Sequence, residues 1–234
     1  SKADFFWLAE CSAGILKCLA IIQSYDSGVF RMRRFRWIVL VAVGIVCALI
    51  DNTLEAAPIL VPPSLSPGDA YHLTFVSSAQ NDANFGGIAG ADAFVQSLAD
   101  AAGIGALQGI TWQAVLSDAT TNAVTRFNPN APIFDTQGNR IEIHGPALWN
   151  AANVPLENPI AFDETGAGGI FPEVWTGTSD VGNLQRADSN WLASSPGTFA
   201  RSGLALNTGP NWINDIDTAE SVPLSLIAVS SQLD

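Results

Sequence analysis

A glycine-rich turn, a helix and a tryptophan-bearing strand, together residues 85–127, constrain the fold of this chain more than any other stretch. Closely spaced glycines in 86–90 exclude regular helix or strand and favour a turn with close backbone approach. The apolar side chains that follow recur at helical spacing: Ala91, Phe94, Val95, Leu98 and Ala102. We expect Asp92 in the first helical turn, where a carboxylate meets the positive end of the helix dipole, and Gly103 as the C-terminal cap.

Alternating and continuous apolar runs predict the strands. Residues 71–77 alternate with period two, which places Tyr71, Leu73 and Phe75 inward and His72 and Thr74 outward. Shorter strands are expected at 111–117, 141–144 and 174–178, and a helical turn at 147–152. The nearly all-apolar run 223–230 predicts a central strand buried on both faces. With long loops at 154–169 and a flexible run at 194–209, the pattern predicts an α+β domain.

The N-terminal region has the layout of a secretory signal. Met32 is followed by a basic stretch with three arginines and then by fourteen apolar residues, 37–50, which are few for a membrane span. We therefore predict a signal peptide at 32–56, a Pro/Ser-rich linker at 57–69 and the folded domain at 70–234. Residues 1–31 are expected to be an untranslated or artefactual upstream segment. The alternative is an N-terminal helix that stays uncleaved as an anchor.

The net charge of the expected mature chain limits the classes of partner that it can bind. From residue 58 onward it keeps four arginines, no lysine and seventeen acidic residues, a net charge of −13. Such a surface repels nucleic acid and anionic membranes, so we expect neither as a partner. All three cysteines precede residue 58, so the exported domain must be stabilised by packing without disulfides. The predicted location is extracytoplasmic: secreted, periplasmic or on the cell surface.

Five pieces, taken in order, resemble bacterial exported domains with a C-type-lectin-like, endostatin-like fold. They are residues 86–93, 112–118, 158–160 and 175–178, and Trp191 with the serine-rich loop after it. The resemblance covers residues 71–231 and implies one or two helices packed on short, mainly antiparallel strands with long loops. Members of that group carry cysteines near the first helix and the last strands. Here Val95 stands at the helix position and the end of the chain has none.

The resemblance also implies a calcium site. Trp212-Ile213-Asn214-Asp215 is similar to the Trp-Asn-Asp element of calcium-dependent lectins, with Ile213 inserted. Calcium takes six to eight oxygen ligands. The candidates are Asn214, Asp215 and Asp217, joined by either Glu157 and Asn158 or Asp163 and Glu164 from the long loop. Acidic and amide residues in loops also serve as turn formers, so both interpretations stay open.

The sequence carries no recognised catalytic motif. His72 and His144 are the only histidines, both on the outward phase of predicted strands, and no Gly-x-Ser-x-Gly element precedes a helix. Seventeen acids leave a carboxylate-based glycosidase open, since it needs only two carboxylates at a suitable distance.

The leading hypothesis is a secreted, non-enzymatic recognition module that binds an extracellular glycan or a surface protein through the loops of 154–218. Candidate ligand-binding residues are Trp191, Trp212, Asn158 and Glu157, because an exposed tryptophan can stack on a sugar or anchor a protein. For each tryptophan, a place in the core is the alternative. The alternatives in function are an exported carbohydrate-active hydrolase and a structural surface or matrix domain.

Overall fold

The computed structural model describes residues 61–104, 110–127, 130–142, 145–169 and 173–234. All of them belong to one unit of the chain, Leu54–Asp234. The predicted upstream segment 1–31, the signal peptide 32–56 and the first residues of the linker lie outside the described residues, as do Ile143 and His144. None of the helices in the described ranges has the length and apolar character that crossing a membrane requires.

One sheet of eight strands organises the described residues, which confirms the predicted α+β class. The strands are β1 (His72–Val76), β2 (Trp112–Ala114), β3 (Ile133–Asp135), β4 (Arg140–Glu142), β5 (Val174–Trp175), β6 (Phe199–Gly203), β7 (Asp217–Ala219) and β8 (Ser225–Ser230). The helices are α1 (Ile88–Ala101), α2 (Ala123–Arg126), α3 (Gly145–Leu148) and a 3₁₀ turn (Pro210–Trp212).

Strand β8 lies at the centre of the sheet, and all six of its residues are buried. The sheet order is β4-β3-β1-β8-β5-β6-β7. One edge of β8 pairs with β1. On the opposite edge, the first half of β8 pairs with β5 and the second half pairs with β2. The prediction of a central strand buried on both faces is confirmed, since a continuous apolar run suits a strand covered on both sides.

Helix α1 covers one face of the sheet, as its apolar spacing predicts. Its buried residues are Ala91, Val95 and Ala99. Gly103 ends the helix with φ +79°, and the Ile104 amide donates to the Ala99 carbonyl at 3.0 Å. The helix begins at Ile88, earlier than expected, so Asp92 is not in the first turn. Its carboxylate instead binds the Arg126 guanidinium, at 2.7 and 2.8 Å.

The other face is buried as well, and here the sequence prediction for β1 was wrong. Thr74, expected to point outward, is 1% exposed, and its hydroxyl donates to the Ala228 carbonyl. His72 is half-buried, with Nδ1 2.9 Å from the Ser230 carbonyl oxygen. Loops and short turns cover this second face, where Ile160, Trp212 and Ile213 pack against β1 and β8. Successive side chains of β1 therefore point alternately into two buried faces, not into a core and solvent.

Three strands lie in stretches that carried no strand prediction. Strand β3 follows a proline-containing loop, and β7 follows the 3₁₀ turn. Strand β6 lies within 194–209, so five residues of the run expected to be flexible form regular structure. Strands β3 and β7 have only three residues each, too few for a period-two pattern to be visible, whereas residues 199–202 of β6 alternate large and small side chains.

Candidate functional site

The two tryptophans predicted to bind ligand are in the core. Trp191 is 0% exposed and Trp212 is 1% exposed. The Trp191 indole donates to the Ser117 carbonyl at 2.9 Å and packs edge-on against Trp175, with ring centroids 6.0 Å apart. Trp212 packs near Trp149 with centroids 6.2 Å apart. Neither ring face is available to stack on a sugar, so the expectation of solvent-reachable rings at these positions is corrected.

Glu157 and Asn158 cover one edge of the sheet. The Glu157 amide donates to the Ile141 carbonyl at 3.0 Å, and Asn158 Nδ2 donates to the Arg140 carbonyl at 2.9 Å. The Glu157 carboxylate also forms an exposed ion pair with Arg140 at 2.9 Å. Both residues are exposed, so their predicted role in ligand binding stays a prediction. They lie beside β4, at the opposite end of the sheet order from β7.

Asp163 accepts hydrogen bonds from its own loop, and Glu164 accepts them from Ser78, which is distant in sequence. Asp163 Oδ1 accepts hydrogen bonds from the Thr165 amide at 2.8 Å, the Thr165 hydroxyl at 2.6 Å and the Ala167 amide at 3.0 Å. The buried Glu164 carboxylate accepts from both the amide and the hydroxyl of Ser78. A carboxylate in such a turn replaces the backbone partners that the loop lacks.

The third group of predicted calcium ligands lies around β7. Asp217 is held between two arginines, at 3.0 Å from Arg186 and 3.3 Å from Arg201. The carbonyl of Asp215 accepts from Arg201 at 3.1 Å. Two guanidinium groups already neutralise Asp217 and would repel a divalent cation, so this residue does not fit the predicted role. Within the described ranges, no three His, Cys, Asp or Glu side chains come close enough to hold a metal ion. Calcium binding by the remaining candidates stays a prediction.

What the region around β7 does bring together is a charged surface, which we call the arginine–aspartate face: Arg186, Asp188, Phe199, Arg201 and Asp217. Strands β6 and β7 pair Arg201 directly opposite Asp217, and Ala200 between Phe199 and Arg201 points to the core. The Arg201 amide donates to the Arg186 carbonyl at 2.9 Å, which places the chain around Arg186 beside β6. Because neighbouring strands align residues on a common side, three separate segments contribute to one face.

The charges of this face are fixed by their mutual contacts. Arg186 donates through Nε and Nη2 to both Asp188 oxygens, at 2.9 and 2.7 Å, and its Cζ lies 4.9 Å from the centre of the Phe199 ring. The hydrogen bond with Asp188, followed by that with Asp217, raises the pKa of Arg186. The same bond to Arg186 lowers the pKa of Asp188. Arg186 and Asp188 therefore keep their charges across the physiological range, and the guanidinium group lies over an aromatic ring.

One local pattern in the sequence indicates part of this face. Phe199-Ala200-Arg201-Ser202 alternates large and small side chains with period two, and Ala200 and Ser202 are the buried members. The pairing of Arg201 with Asp217 depends on the strand register, which no local pattern in either segment specifies.

Comparison with the profiles of known protein families and with curated proteins gave no match.

Proposed function

We propose that this chain is a secreted recognition module with a C-type-lectin-like fold, and that it binds a partner protein through the arginine–aspartate face. The observation that carries the proposal is the sharing of Asp217, on β7, by the 38%-exposed side chain of Arg186 and by the half-buried Arg201 of β6. Two of the four arginines that follow residue 58 meet at this one carboxylate. Arginine and aromatic residues are the types enriched where proteins bind one another.

The surroundings of the face also favour a protein ligand. Ile216, next to Asp217, is 48% exposed, and Leu184, two residues before Arg186, is 36% exposed. Apolar side chains beside fixed charges supply area to bury together with groups that set orientation. A glycan is the other ligand class expected from the sequence. The burial of Trp191 and Trp212 removes the rings that were expected to stack on it.

The lectin-like fold and the secreted location are both proposed from the sequence. The positions of the matched pieces in the structure support the fold. Trp112, Trp175 and Trp191, from three of those pieces, share one core with helix α1 from a fourth. The signal-like layout of 32–56 is the basis for export.

Arg186→Ala and Arg140→Ala form a matched pair for testing the proposal. Both arginines are exposed and paired with a carboxylate, at 38% and 47% side-chain exposure, but they lie at opposite ends of the sheet order. The full chain and both variants would be cross-linked to envelope and medium proteins of the producing cells. A partner identified by mass spectrometry would then be purified and titrated against each protein.

We expect the Arg186→Ala variant to weaken that complex by at least about tenfold, as for an interface arginine at a hot spot, and Arg140→Ala to leave it unchanged. Equal loss in both variants would move binding away from this face, and loss only with Arg140→Ala would place it at Glu157 and Asn158. Binding on a glycan array with no protein complex would replace the protein partner by a carbohydrate. If neither a protein nor a glycan binds, the result would favour a structural domain.

A further inference from the structure

Strand β2 has an edge that no other described strand covers. Among the described strands it pairs with β8 alone. Just after β2, the Val115 amide donates to the Ile227 carbonyl of β8 at 2.8 Å. Because successive backbone groups alternate in direction along an antiparallel strand, those of Trp112 and Ala114 point away from β8. An uncovered edge of this kind is where another chain can add a strand.

Side chains take the place of a neighbouring strand at this edge. Gln96 Oε1 accepts from the Trp112 amide at 2.8 Å, and Asp92 Oδ1 accepts from the Ala114 amide at 2.8 Å. Arg126, which binds the Asp92 carboxylate at 2.7 Å, donates through Nη1 to the Ala114 carbonyl at 2.8 Å. The outward amides of β2 are therefore bonded to two residues of helix α1.

The spacing of the helix matches the spacing of the strand. Four residues advance a helix by about 6 Å. Two residues advance a strand by about 6.7 Å, so side chains four apart on α1 can serve amides two apart on β2. Asp92 and Gln96 directly follow the buried residues Ala91 and Val95. They lie beside the stripe that packs on the sheet, from which they reach its edge.

The core holds β2 in place independently of these hydrogen bonds. The side chains of Trp112 and Ala114 are buried in the same core as Ala91 and Val95. Loss of the two acceptors would therefore leave β2 in the sheet with unpaired amides along its edge. Such amides gain hydrogen bonds when a second strand pairs with them, and this drives association between chains.

We propose that Asp92 and Gln96 protect this edge and keep β2 from pairing with a second copy of this chain. Two copies of one strand edge can pair antiparallel about a two-fold axis, because the same surface is offered by both. Association through β2 is therefore expected only where both acceptors have been removed.

The full chain and its double variant Asp92→Ala, Gln96→Ala provide the test. At low protein concentration, hydrogen exchange at the Trp112 and Ala114 amides, followed by NMR, should be at least about tenfold faster in the variant. In sedimentation equilibrium the variant should associate at least about tenfold more tightly than the parent chain. In the associated form the two amides should be protected again, since they would then donate to the second copy.

Two further variants separate the lost acceptors from other effects. Ser97→Ala is the matched control, because Ser97 is exposed on the same helix and its hydroxyl donates to the Phe94 carbonyl of that helix. It should leave exchange and association unchanged. The conservative pair Asp92→Asn, Gln96→Glu keeps an acceptor oxygen at both positions and should keep both amides protected. Circular dichroism would verify that each variant folds.

Unchanged exchange at both amides would overturn the proposal, because the two side chains would not then protect the edge. Faster exchange without tighter association would overturn it as well, since the edge would be closed to a strand even without its acceptors. Association in which both amides still exchange quickly would place the contact elsewhere, with the same consequence.

A single variant keeps the proposal testable if the double variant does not fold. Gln96→Ala leaves the ion pair between Asp92 and Arg126 intact. It should speed exchange at the Trp112 amide, leave the Ala114 amide protected and tighten association by less than the double variant would. No change in exchange at Trp112 would overturn the proposal.

Discussion

Both faces of the sheet are buried from solvent, but different kinds of element cover them. On the first face, a fourteen-residue helix supplies Ala91, Val95 and Ala99 at regular spacing. On the second face the longest described helices have four residues, and side chains such as Ile160 and Ile213 come from loops. A helix brings many side chains to a core with one set of backbone hydrogen bonds, whereas each loop must satisfy its own backbone separately.

The loop-built face contains a small cavity. A cavity of about 10 Å³ lies within it, lined mainly by apolar side chains that include Ile133, Trp212 and Ile227. Within the described residues, the Trp212 indole nitrogen has no hydrogen-bond partner, whereas Trp175 and Trp191 on the first face donate to the Asn81 and Ser117 carbonyls. Trp112 on the first face also lacks an indole partner among the described residues, so each face holds one unpaired indole nitrogen.

The largest expected effect comes from removing one tryptophan from each face. Trp191→Ala should lower the free energy of unfolding by about 3–5 kcal/mol, the usual range for a buried aromatic residue. Trp212→Ala should cost less, because the cavity beside Trp212 already weakens its contacts. Urea unfolding of both variants measures the difference. A larger loss of unfolding free energy for Trp212→Ala would contradict this prediction and show that the loop-built face depends more on its tryptophan.

A smaller effect should show that loop carboxylates hold the second face. Asp163→Ala removes the acceptor for the Thr165 and Ala167 amides, and we expect a loss of about 1–2 kcal/mol with faster hydrogen exchange at those two amides. Asp100→Ala, at an exposed helical position on the first face, should stay within about 0.5 kcal/mol of the parent. Unchanged exchange at both amides would show that the loop does not depend on Asp163.

Phenylalanine substitutions separate packing from hydrogen bonding. Trp191→Phe leaves the buried Ser117 carbonyl without its donor, which adds about 1 kcal/mol to the cost of the lost ring volume. Trp212→Phe breaks no indole hydrogen bond within the described residues and should cost less by about that amount. Thermal or urea unfolding of the pair gives the difference. Equal losses would mean that the indole bond of Trp191 contributes nothing net.

The smallest effect concerns pH at the margin of the second face. Burial lowers the pKa of His72 below its ordinary value of 6.5, and the bond to the Ser230 carbonyl opposes this only in part. The unfolded chain therefore binds a proton more readily than the folded chain. Stability is fully present above pH 6.5 and should fall as the pH drops through 6.5 towards the folded pKa. The His72→Gln variant should lose that part of the decline, and an unchanged profile in melting experiments would contradict it.

Prediction from sequence succeeded where local chemistry repeats. The helix, its glycine cap and the central strand follow from periodicity, because apolar residues at fixed spacing have only one way to share a core. Asp135 and Gly138 are residue types typical of turns, and their turn joins β3 to β4, with the Gly138 amide donating to the Asp135 carbonyl at 3.0 Å. The burial of Thr74 was missed, since a small polar side chain in an alternating strand gives no sign that a second core covers it.

The candidate site was predicted less well, and for a related reason. Asp217 was singled out for its oxygens, but its partners Arg186 and Arg201 come from 31 and 16 residues earlier in the chain. An acid in a loop is equally suited to a metal, a backbone cap or an ion pair, and only its neighbours in space select among them. The same holds for Trp191, because its burial depends on contacts with Ser117 and Trp175, which are distant in sequence.

The sequence by itself determined the α+β class, the position of the long helix and the burial of the last strand, because each follows from the spacing of apolar residues within one segment. The tertiary structure decided which loops cover the second face, which tryptophans are buried and which charges meet. Those outcomes depend on strand order and register, which arise from contacts between segments far apart in the chain and leave little trace in any one of them.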